Sequence, residues 1–342
     1  MSYPFIDACF RRPVDRVPAW IMRQAGRYLP TYMAMKEHHT FWEMCTTPEL
    51  AAQVTMLPFE VLDLDAAILF SDILAPIPAM GRSVEFKPGP VLARPVRTRA
   101  DVDELIIPDP RIALPWQAEA VRACVKALDG RVPLIGFAAS PFTLGAYVVE
   151  GSGSKSFAAY KGLVYGDPKA YDNLMHKLTE TLIAVLNAQL DAGAQAIQVF
   201  ESWASLMGPE DWQKRVLPWV HRLIEGVRRE GVPIIYYANG ASGYQELLVE
   251  TGADVIGVDW RIDLAEARAL LGDDVAVQGN LDPTALFAPE DELVERVLRL
   301  VKTGASTPGY IFNLGHGILP QADPARVKAA IDAVHSVRPG SA

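Results

Sequence analysis

Two arginines have the spacing expected of an anion-binding segment. Arg23 and Arg27 lie four residues apart around Gly26, in the segment MRQAGRYLP of Met22–Pro30. A planar guanidinium can donate two parallel hydrogen bonds to a carboxylate, and the glycine leaves backbone N–H groups open to a ligand. The segment therefore predicts a site for an anion-rich ligand. A pair of surface arginines at the start of a helix is the alternative interpretation.

An aspartate ends the most apolar short run of the chain. Asp72 and Ser71 follow AAILF, Ala66–Phe70, which reads as a strand buried on both faces. The next residues, ILAPIPAMG, contain Pro76 and Pro78, so we expect a stiff apolar loop and no regular helix. A carboxylate beside such a loop predicts a pocket wall. Capping of the next turn is the alternative role for Asp72.

Two further side chains are candidates for ligand contact. Tyr147 lies in the glycine-rich segment GAYVVEGSGS, Gly145–Ser154, whose spacing matches no nucleotide-binding motif and predicts a flexible covering loop. His316 lies in NLGHGILP, Asn313–Pro320, between glycines that permit close approach of backbone to a ligand. A lone histidine after a strand is more often structural than a general base.

Short apolar runs alternate with longer segments of helical period along the whole chain. The predicted strands are Pro18–Met22, Ala66–Phe70, Pro133–Ala139, Ala196–Phe200, Pro233–Tyr237, Asp254–Val258, Val275–Gln278 and Tyr310–Leu314. The predicted helices are Pro48–Leu62, Leu114–Leu128, Pro168–Ala192, Pro209–Glu230, Gly243–Thr251, Leu264–Leu271, Asp291–Thr303 and Pro324–Val337. Eight such units without a linker predict an α/β protein, one (β/α)₈ TIM barrel domain over residues 1–342.

The carboxyl ends of barrel strands converge on one face, where the active sites of such enzymes lie. The polar residues that follow the predicted strands are Arg23, Asp72, Ser140, Ser202, Asn239, Asp259, Asn280, Asp282 and His316. Polar residues at strand ends also serve as turn and cap residues, so we expect about half of this set to be structural.

Composition excludes several classes of function. The chain has 342 residues and a net charge of −9, which argues against nucleic-acid binding. Its three cysteines show no paired spacing, and no histidine–cysteine pattern predicts a metal site. The N-terminus lacks the apolar core of a signal peptide, and no apolar run is long enough to span a bilayer. We expect a metal-free cytoplasmic protein.

Seven motifs, in order, resemble the uroporphyrinogen decarboxylase family. They are MRQAGRYLP, AAILFSDIL, FAASPFTLGAYVVEG, QVFESW, GVDW, VQGNLDP and FNLGHGI, and they span almost the full chain. The resemblance implies a cofactor-free carboxy-lyase of haem biosynthesis on a (β/α)₈ barrel, acting on the acetates of uroporphyrinogen III to give coproporphyrinogen III. It also implies a homodimer whose two clefts face each other.

The family's substrate-binding and catalytic positions fall on specific residues here. The resemblance implies substrate contacts at Arg23, Gln24, Ala25, Gly26, Arg27, Asp72, Tyr147, Ser202 and His316. It gives catalytic roles to Asp72, as an anionic anchor that stabilises the transition state, and to Arg23, Tyr147 and His316. The general acid, the order of acetate loss and the isomer preference stay open.

Four departures from the family pattern concern the outer carboxylates of the substrate. Met33, Thr46 and Asn239 stand where basic residues are common, and Lys36 replaces an arginine.

Two other functions remain as alternatives. One is a zinc-dependent corrinoid or thiol methyltransferase on the same barrel, and the other is a porphyrinogen-binding protein without turnover.

Overall fold

The computed structural model describes residues 3–86 and 89–338. Its strands are β1 (Ala67–Ile68), β2 (Val84–Phe86), β3 (Pro90–Leu92), β4 (Leu134–Ala139), β5 (Ala196–Glu201), β6 (Ile234–Ala238), β7 (Val255–Gly257), β8 (Ala276–Leu281) and β9 (Tyr310–Leu314). Its α-helices are α1 (Pro4–Cys9), α2 (Pro30–His38), α3 (Phe41–Thr46), α4 (Pro48–Met56), α5 (Pro76–Ala79), α6 (Arg99–Glu104), α7 (Pro110–Ala113), α8 (Pro115–Leu128), α9 (Pro141–Glu150), α10 (Ala158–Gly166), α11 (Pro168–Asp191), α12 (Pro209–Arg215), α13 (Leu217–Val227), α14 (Leu264–Leu271), α15 (Glu290–Gly304) and α16 (Pro324–Ser336). Short 3₁₀ helices cover Leu57–Glu60, Ala204–Leu206, Ser242–Thr251 and Pro283–Phe287.

A curled parallel sheet of seven strands, in the order β1-β4-β5-β6-β7-β8-β9, forms the centre of the fold. Consecutive strands pair in parallel register, as in Ile135 of β4 with Ala196 of β5, and helices connect them. A small antiparallel pair, β2 with β3, lies apart from this sheet. The predicted α/β class with a parallel sheet is confirmed.

The first predicted strand, Pro18–Met22, is reduced to a single parallel bridge between Ala19 and Phe312 of β9. Phe312 N–H donates to Pro18 O at 2.9 Å on this side, and Asp65 N–H donates to Ala19 O at 2.8 Å on the other. The segment therefore contacts the last strand of the sheet and the residues that lead into β1. It is too irregular to form a full ladder with either neighbour.

Both faces of the sheet are buried, as expected for parallel strands covered by helices. On β6, Ile234 and Tyr236 pack with the main core, whereas Ile235 and Tyr237 belong to a second buried cluster. This second cluster also includes Trp20 and the apolar residues that alternate with outward-facing ones on the other strands. Polar side chains can therefore meet a ligand only where the strands end.

Proline decides where several helices differ from their predicted bounds. The helices predicted over 114–128, 168–192, 264–271, 291–303 and 324–337 match within one residue at each end. The one predicted over Pro209–Glu230 is split into α12 and α13 because Pro218 cannot continue the helix. The predicted loop after Asp72 is confirmed for residues 71–75, but Pro76 and Pro78 lie in the single turn of α5, where a missing N–H is harmless.

The glycine-rich segment after β4 is also different from its prediction. Gly145, Tyr147 and Glu150 lie within α9, which is ordered and buried along most of its length. A Cβ at Gly145 would lie 2.6 Å from the Met175 methyl and 2.7 Å from the Tyr160 hydroxyl. This glycine therefore permits close helix packing and does not form a flexible cover.

No helix among the residues that the structure describes combines the length and apolar character needed to cross a membrane.

A buried aspartate joins three separate segments at the end of the fold opposite the strand carboxyl ends. Asp65 accepts hydrogen bonds from Ala19 N–H at 2.8 Å and from the Arg16 guanidinium at 2.7 Å, and it contacts His335 Nε2 of α16 at 2.8 Å. Burial opposes ionisation, but the His335, Ala19 and Arg16 contacts outweigh it and lower the pKa of Asp65. This contact therefore joins the first segment, the residues before β1 and the last helix.

Replacing Asp65 with alanine is expected to lower the free energy of unfolding by about 3 kcal/mol, because Arg16 and the buried Ala19 N–H lose their partner. The measurement is urea denaturation at neutral pH, followed by circular dichroism. Asp63→Ala is the matched control. Asp63 contacts Arg16 and His335 as well, but its side chain is 64% exposed, so the expected loss is below about 1 kcal/mol. Equal losses in the two variants would contradict the role given to Asp65.

Candidate active site

A cavity of about 520 Å³ lies where the strand carboxyl ends meet. Loops after the Pro18–Met22 segment, β1, β5 and β9 contribute to its wall, together with α9. The predicted site residues that line it are Arg23, Ala25, Gly26, Arg27, Asp72, Tyr147, Ser202 and His316. Residues far apart in the sequence are thus brought to one cavity.

Both arginines present exposed guanidinium groups to this cavity. Among the described residues, neither Arg23 nor Arg27 forms a hydrogen bond or an ion pair. Arg23 has a φ of 67°, a left-handed conformation that is uncommon for a residue with a Cβ. A Cβ at Gly317 would lie 2.4 Å from Arg23 Cδ, so the glycine provides the space that the arginine side chain occupies. The arrangement leaves two cations available to an anionic ligand.

Gln24 is the predicted site residue that does not line the cavity. Its side chain is fully buried, where its Oε1 accepts from Ile21 N–H at 3.2 Å and its Nε2 donates to Ala66 O at 3.2 Å. Its own N–H donates to Ile21 O. Gln24 therefore holds the turn that presents the two arginines.

Asp72 combines the two roles considered from the sequence. Its Oδ1 accepts from Leu74 N–H at 2.8 Å, the local turn contact, while the half-buried side chain lines the cavity. Burial raises the pKa of Asp72, and the Leu74 N–H and the positive charge of Arg23 oppose that rise. The site thus holds a carboxyl group whose protonation depends on Arg23.

Tyr147 and His316 are polar but uncharged at neutral pH. Burial raises the pKa of Tyr147, and the charge of Asp72 adds to the effect, so the phenol keeps its proton. Burial, followed by the charge of Arg23, lowers the pKa of His316 to about 4. The ring of His316 lies 6.4 Å from Tyr237 and 6.0 Å from Trp260, measured between ring centroids. Both residues can hydrogen-bond a ligand without adding a charge.

The other polar residues at strand ends have structural roles, as expected for about half of them. Ser140 caps α9, and Asp282 caps the 3₁₀ helix that follows β8. Asp259 accepts from the N–H of Arg261, and Asn280, which lies within β8, donates to Asp259 O. Asn239 donates to the backbone oxygen of Ser202 at 3.1 Å. These contacts shape the loops around the cavity.

Sequence reasoning predicted an apolar wall in the loop after Asp72, whose Ile73 and Leu74 line the cavity, but it missed the rest of the apolar wall. Phe70, Phe137, Phe200, Tyr237 and Ile318 all line the cavity. The rings of Phe137 and Phe200 lie 5.7 Å apart, and those of Phe200 and Tyr237 lie 6.3 Å apart. The aromatic residues near the ends of the predicted strands could have indicated this wall. Whether each side chain points into the cavity depends, however, on its position along the strand and on the curvature of the sheet. The cavity is therefore apolar at its sides and charged at particular points.

The residues that depart from the family pattern lie outside the cavity wall. Met33 is 42% exposed on α2, and Thr46 Oγ1 donates to Trp42 O within α3. Among residues 3–86 and 89–338, no group of three or more His, Cys, Asp and Glu side chains is arranged to hold a metal ion. Cys9, Cys45 and Cys124 are each buried.

Comparison with solved structures shows a shared fold. A methyltransferase from Methanosarcina mazei superposes with a TM-score of 0.80 over 97% of each chain, at 20% sequence identity. A B12-independent methionine synthase from Shewanella sp. W3-18-1 has a TM-score of 0.56 at 12% identity, over 84% of this chain and 86% of that one. At these identities the likeness concerns the fold alone.

Sequence comparison is far more specific. The protein named uroporphyrinogen decarboxylase from Geobacter sp. (strain M21) is 51% identical over 335 residues, 98% of each chain. The protein of that name from Trichlorobacter lovleyi is 50% identical over the same share of each chain. The family model described as uroporphyrinogen decarboxylase (URO-D) matches residues 2–337. The chain belongs to the uroporphyrinogen decarboxylase family.

Proposed function

We propose that this chain removes CO₂ from the four acetate side chains of uroporphyrinogen III to give coproporphyrinogen III, without a metal or cofactor, in haem biosynthesis. One observation carries the proposal beyond family membership. The guanidinium groups of Arg23 and Arg27, which have no hydrogen-bond or ion-pair partner among the described residues, share a cavity with the partly desolvated carboxyl group of Asp72. A ligand with carboxylates at its rim and N–H donors at its centre matches this arrangement.

Substrate binding follows from that charge pattern. Uroporphyrinogen carries eight carboxylates around a ring of four pyrrole N–H groups. Arg23 and Arg27 bind carboxylates at the rim, and the Asp72 carboxylate accepts from the pyrrole N–H groups at the centre. Tyr147, Ser202 and His316 orient the acetate and propionate groups by hydrogen bonds. Backbone at Ala25 and Gly26 completes the contact, and the aromatic wall excludes water.

The reaction needs a place for the electrons of the breaking bond. A proton added to a pyrrole ring carbon creates a cation, and the C–CO₂ bond then breaks as its electron pair moves toward that ring. The methylene carbon takes up a proton and becomes a methyl group, while the ring proton is lost. An ionised Asp72 stabilises the ring cation as it forms, and such preorganised charge stabilisation is the largest effect in many enzymes.

The proposal extends to the architecture and assembly. Residues 1–342 form one domain, in which segment Pro18–Met22 closes the seven-stranded sheet into a (β/α)₈ barrel. The bridge of Ala19 to Phe312 and the bond from Asp65 N–H support this closure. The family resemblance supports a cytoplasmic homodimer with its two clefts facing each other.

Replacing Asp72 with asparagine is expected to lower kcat by about 100-fold or more, because the ring cation loses its anion. The assay is an anaerobic incubation with uroporphyrinogen III, in which samples are oxidised and the porphyrins are separated by carboxylate number. Wild-type protein is expected to show seven-, six- and five-carboxylate species before coproporphyrin.

Asp282→Asn is the matched control. Asp282 also follows a strand and accepts from the N–H two residues later, but it lies outside the cavity, so kcat should stay within twofold of the wild type. Undiminished turnover by Asp72→Asn would refute the anchor role. Intact substrate with detectable binding would indicate a porphyrinogen-binding protein instead, and stoichiometric zinc in the purified protein would favour a methyltransferase.

Replacing Gly317 with alanine is expected to raise KM for uroporphyrinogen III by about tenfold, since the new methyl group displaces the Arg23 side chain. Steady-state kinetics under anaerobic conditions measure the change. Gly162→Ala, where a Cβ meets nothing within 4 Å, is the control and should leave KM within twofold. A normal KM in Gly317→Ala would contradict the placement of Arg23 in the substrate site.

A further inference from the structure

A second carboxyl group lies directly behind the cavity wall. Glu201, the last residue of β5, is fully buried and does not line the cavity. Its two carboxylate oxygens accept from the hydroxyl groups of Ser140 and Thr143. Ser140 Oγ also accepts from Thr143 N–H at 3.0 Å, which leaves the Ser140 hydroxyl proton free for Glu201.

These contacts join the two elements that carry Tyr147 and Ser202. Ser140 is the cap of α9 and Thr143 lies in its first turn, and the same helix places Tyr147 on the cavity wall. On the other side, Ser202 directly follows Glu201 at the end of β5. The ring of Trp203 lies 5.9 Å from that of Tyr147. The carboxylate thus fixes both elements relative to each other.

Within residues 3–86 and 89–338, the surroundings of Glu201 supply hydrogen bonds but no positive charge. Phenol groups lie near it on four elements: Tyr160 of α10, Tyr171 of α11, Tyr236 of β6 and Tyr244 of the 3₁₀ helix Ser242–Thr251. Tyr171 donates to the backbone oxygen of Arg215. Within the described part of the chain, no arginine, lysine or histidine forms an ion pair with Glu201.

This environment makes the ionised form costly. Burial raises the pKa of Glu201 to about 7, although the Ser140 and Thr143 hydrogen bonds favour the anion. The ionised group accepts both hydroxyl hydrogen bonds, whereas protonation turns one of its oxygens into a donor. Helix α9 and the end of β5 are therefore held together when Glu201 is ionised.

We propose that Glu201 is a positioning residue for the proposed decarboxylation, which it supports by holding Tyr147 and Ser202 in place on the cavity wall. The inference rests on the proposed function. A purely structural carboxylate would contribute to stability without acting through these two side chains. Coupling between Glu201 and Tyr147 therefore distinguishes the two roles.

The test is a double-mutant cycle of Glu201→Gln with Tyr147→Phe. Glu201→Gln alone is expected to lower kcat/KM for uroporphyrinogen III about tenfold. In the Tyr147→Phe background the same change should cost less than twofold, because the residue through which Glu201 acts is already altered. In wild-type protein, kcat/KM should fall as pH decreases through about 7, and Glu201→Gln should lack that decrease. The proposal would be overturned if the two substitutions acted independently, so that their fold-changes in kcat/KM multiplied, or if the pH profile of Glu201→Gln were the same as that of the wild type.

Two further variants separate positioning from loss of stability. The folded-state pKa of Glu201 lies above its unfolded value, so wild-type protein loses stability as pH rises from about 4.5 to about 7. Removing the charge in Glu201→Gln avoids that loss, and the variant should stay folded at pH 8. Glu201→Asp keeps the charge and should retain the pH dependence with a smaller defect. Asp65→Asn, a buried carboxyl at the other end of the fold, should lower the urea midpoint and leave kcat/KM within twofold.

Binding of uroporphyrin, the stable oxidised macrocycle, keeps the two proposals distinguishable. Fluorescence titration of the four proteins of the cycle should show that the effects of the two substitutions on Kd are also non-additive. Glu201→Gln alone is expected to raise Kd about fivefold. If wild-type protein binds uroporphyrin but releases no CO₂ from uroporphyrinogen, the proposed function fails while the coupling is still measured. Additive effects on Kd together with normal turnover would refute the role of Glu201 alone.

Discussion

The charge of Arg23 acts on two titratable groups of the cavity in addition to the larger effect of burial. It opposes the rise in the pKa of Asp72 that burial causes, and it adds to the decrease in the pKa of His316. One guanidinium therefore favours an anion at the centre and a neutral imidazole at the wall. That combination suits a polyanionic substrate that becomes cationic at its ring during the reaction. Moving Arg23 would change both groups at once.

The position of Arg23 is itself the product of backbone constraints. Its left-handed φ of 67° requires the surrounding turn to hold it, and Gln24 does this through bonds to Ile21 and Ala66. Met22 N–H donates to Asn313 Oδ1 of β9 at 2.9 Å, which fixes the same turn to the last strand. Gly317 then leaves room for the side chain. The buried hydrogen bonds of Gln24 and Asn313 beneath the turn are thus as important for the site as the Arg23 cation that they position.

Three partly or fully buried carboxyl groups show how neighbours determine the protonation state of one chemical group. Asp65 has Arg16, His335 and a backbone N–H as partners, and its pKa is lowered. Asp72 has one N–H and a cation at a distance, and its pKa is raised. Among the described residues, Glu201 has hydroxyl donors but no cation as partners, and its pKa rises to about 7. Burial acts in the same direction on all three, so the partners decide whether each is a structural ion, a site anion or a titrating group.

Local sequence patterns were sufficient to predict much of the secondary structure and the candidate site residues of this protein. The spacing of apolar residues and the placement of proline were sufficient to predict most strands and five helices. This was possible because both sheet faces are buried and because proline restricts φ locally. The residues that follow each strand were identifiable as site candidates, since parallel strands must end at one face. Tertiary structure decided which of them reach the cavity. Gln24 turns inward, Gly145 packs a helix, and Glu201 lies behind the wall, because each depends on neighbours that are distant in the chain. The weak pairing of Pro18–Met22 likewise depends on sheet curvature, which no local pattern encodes.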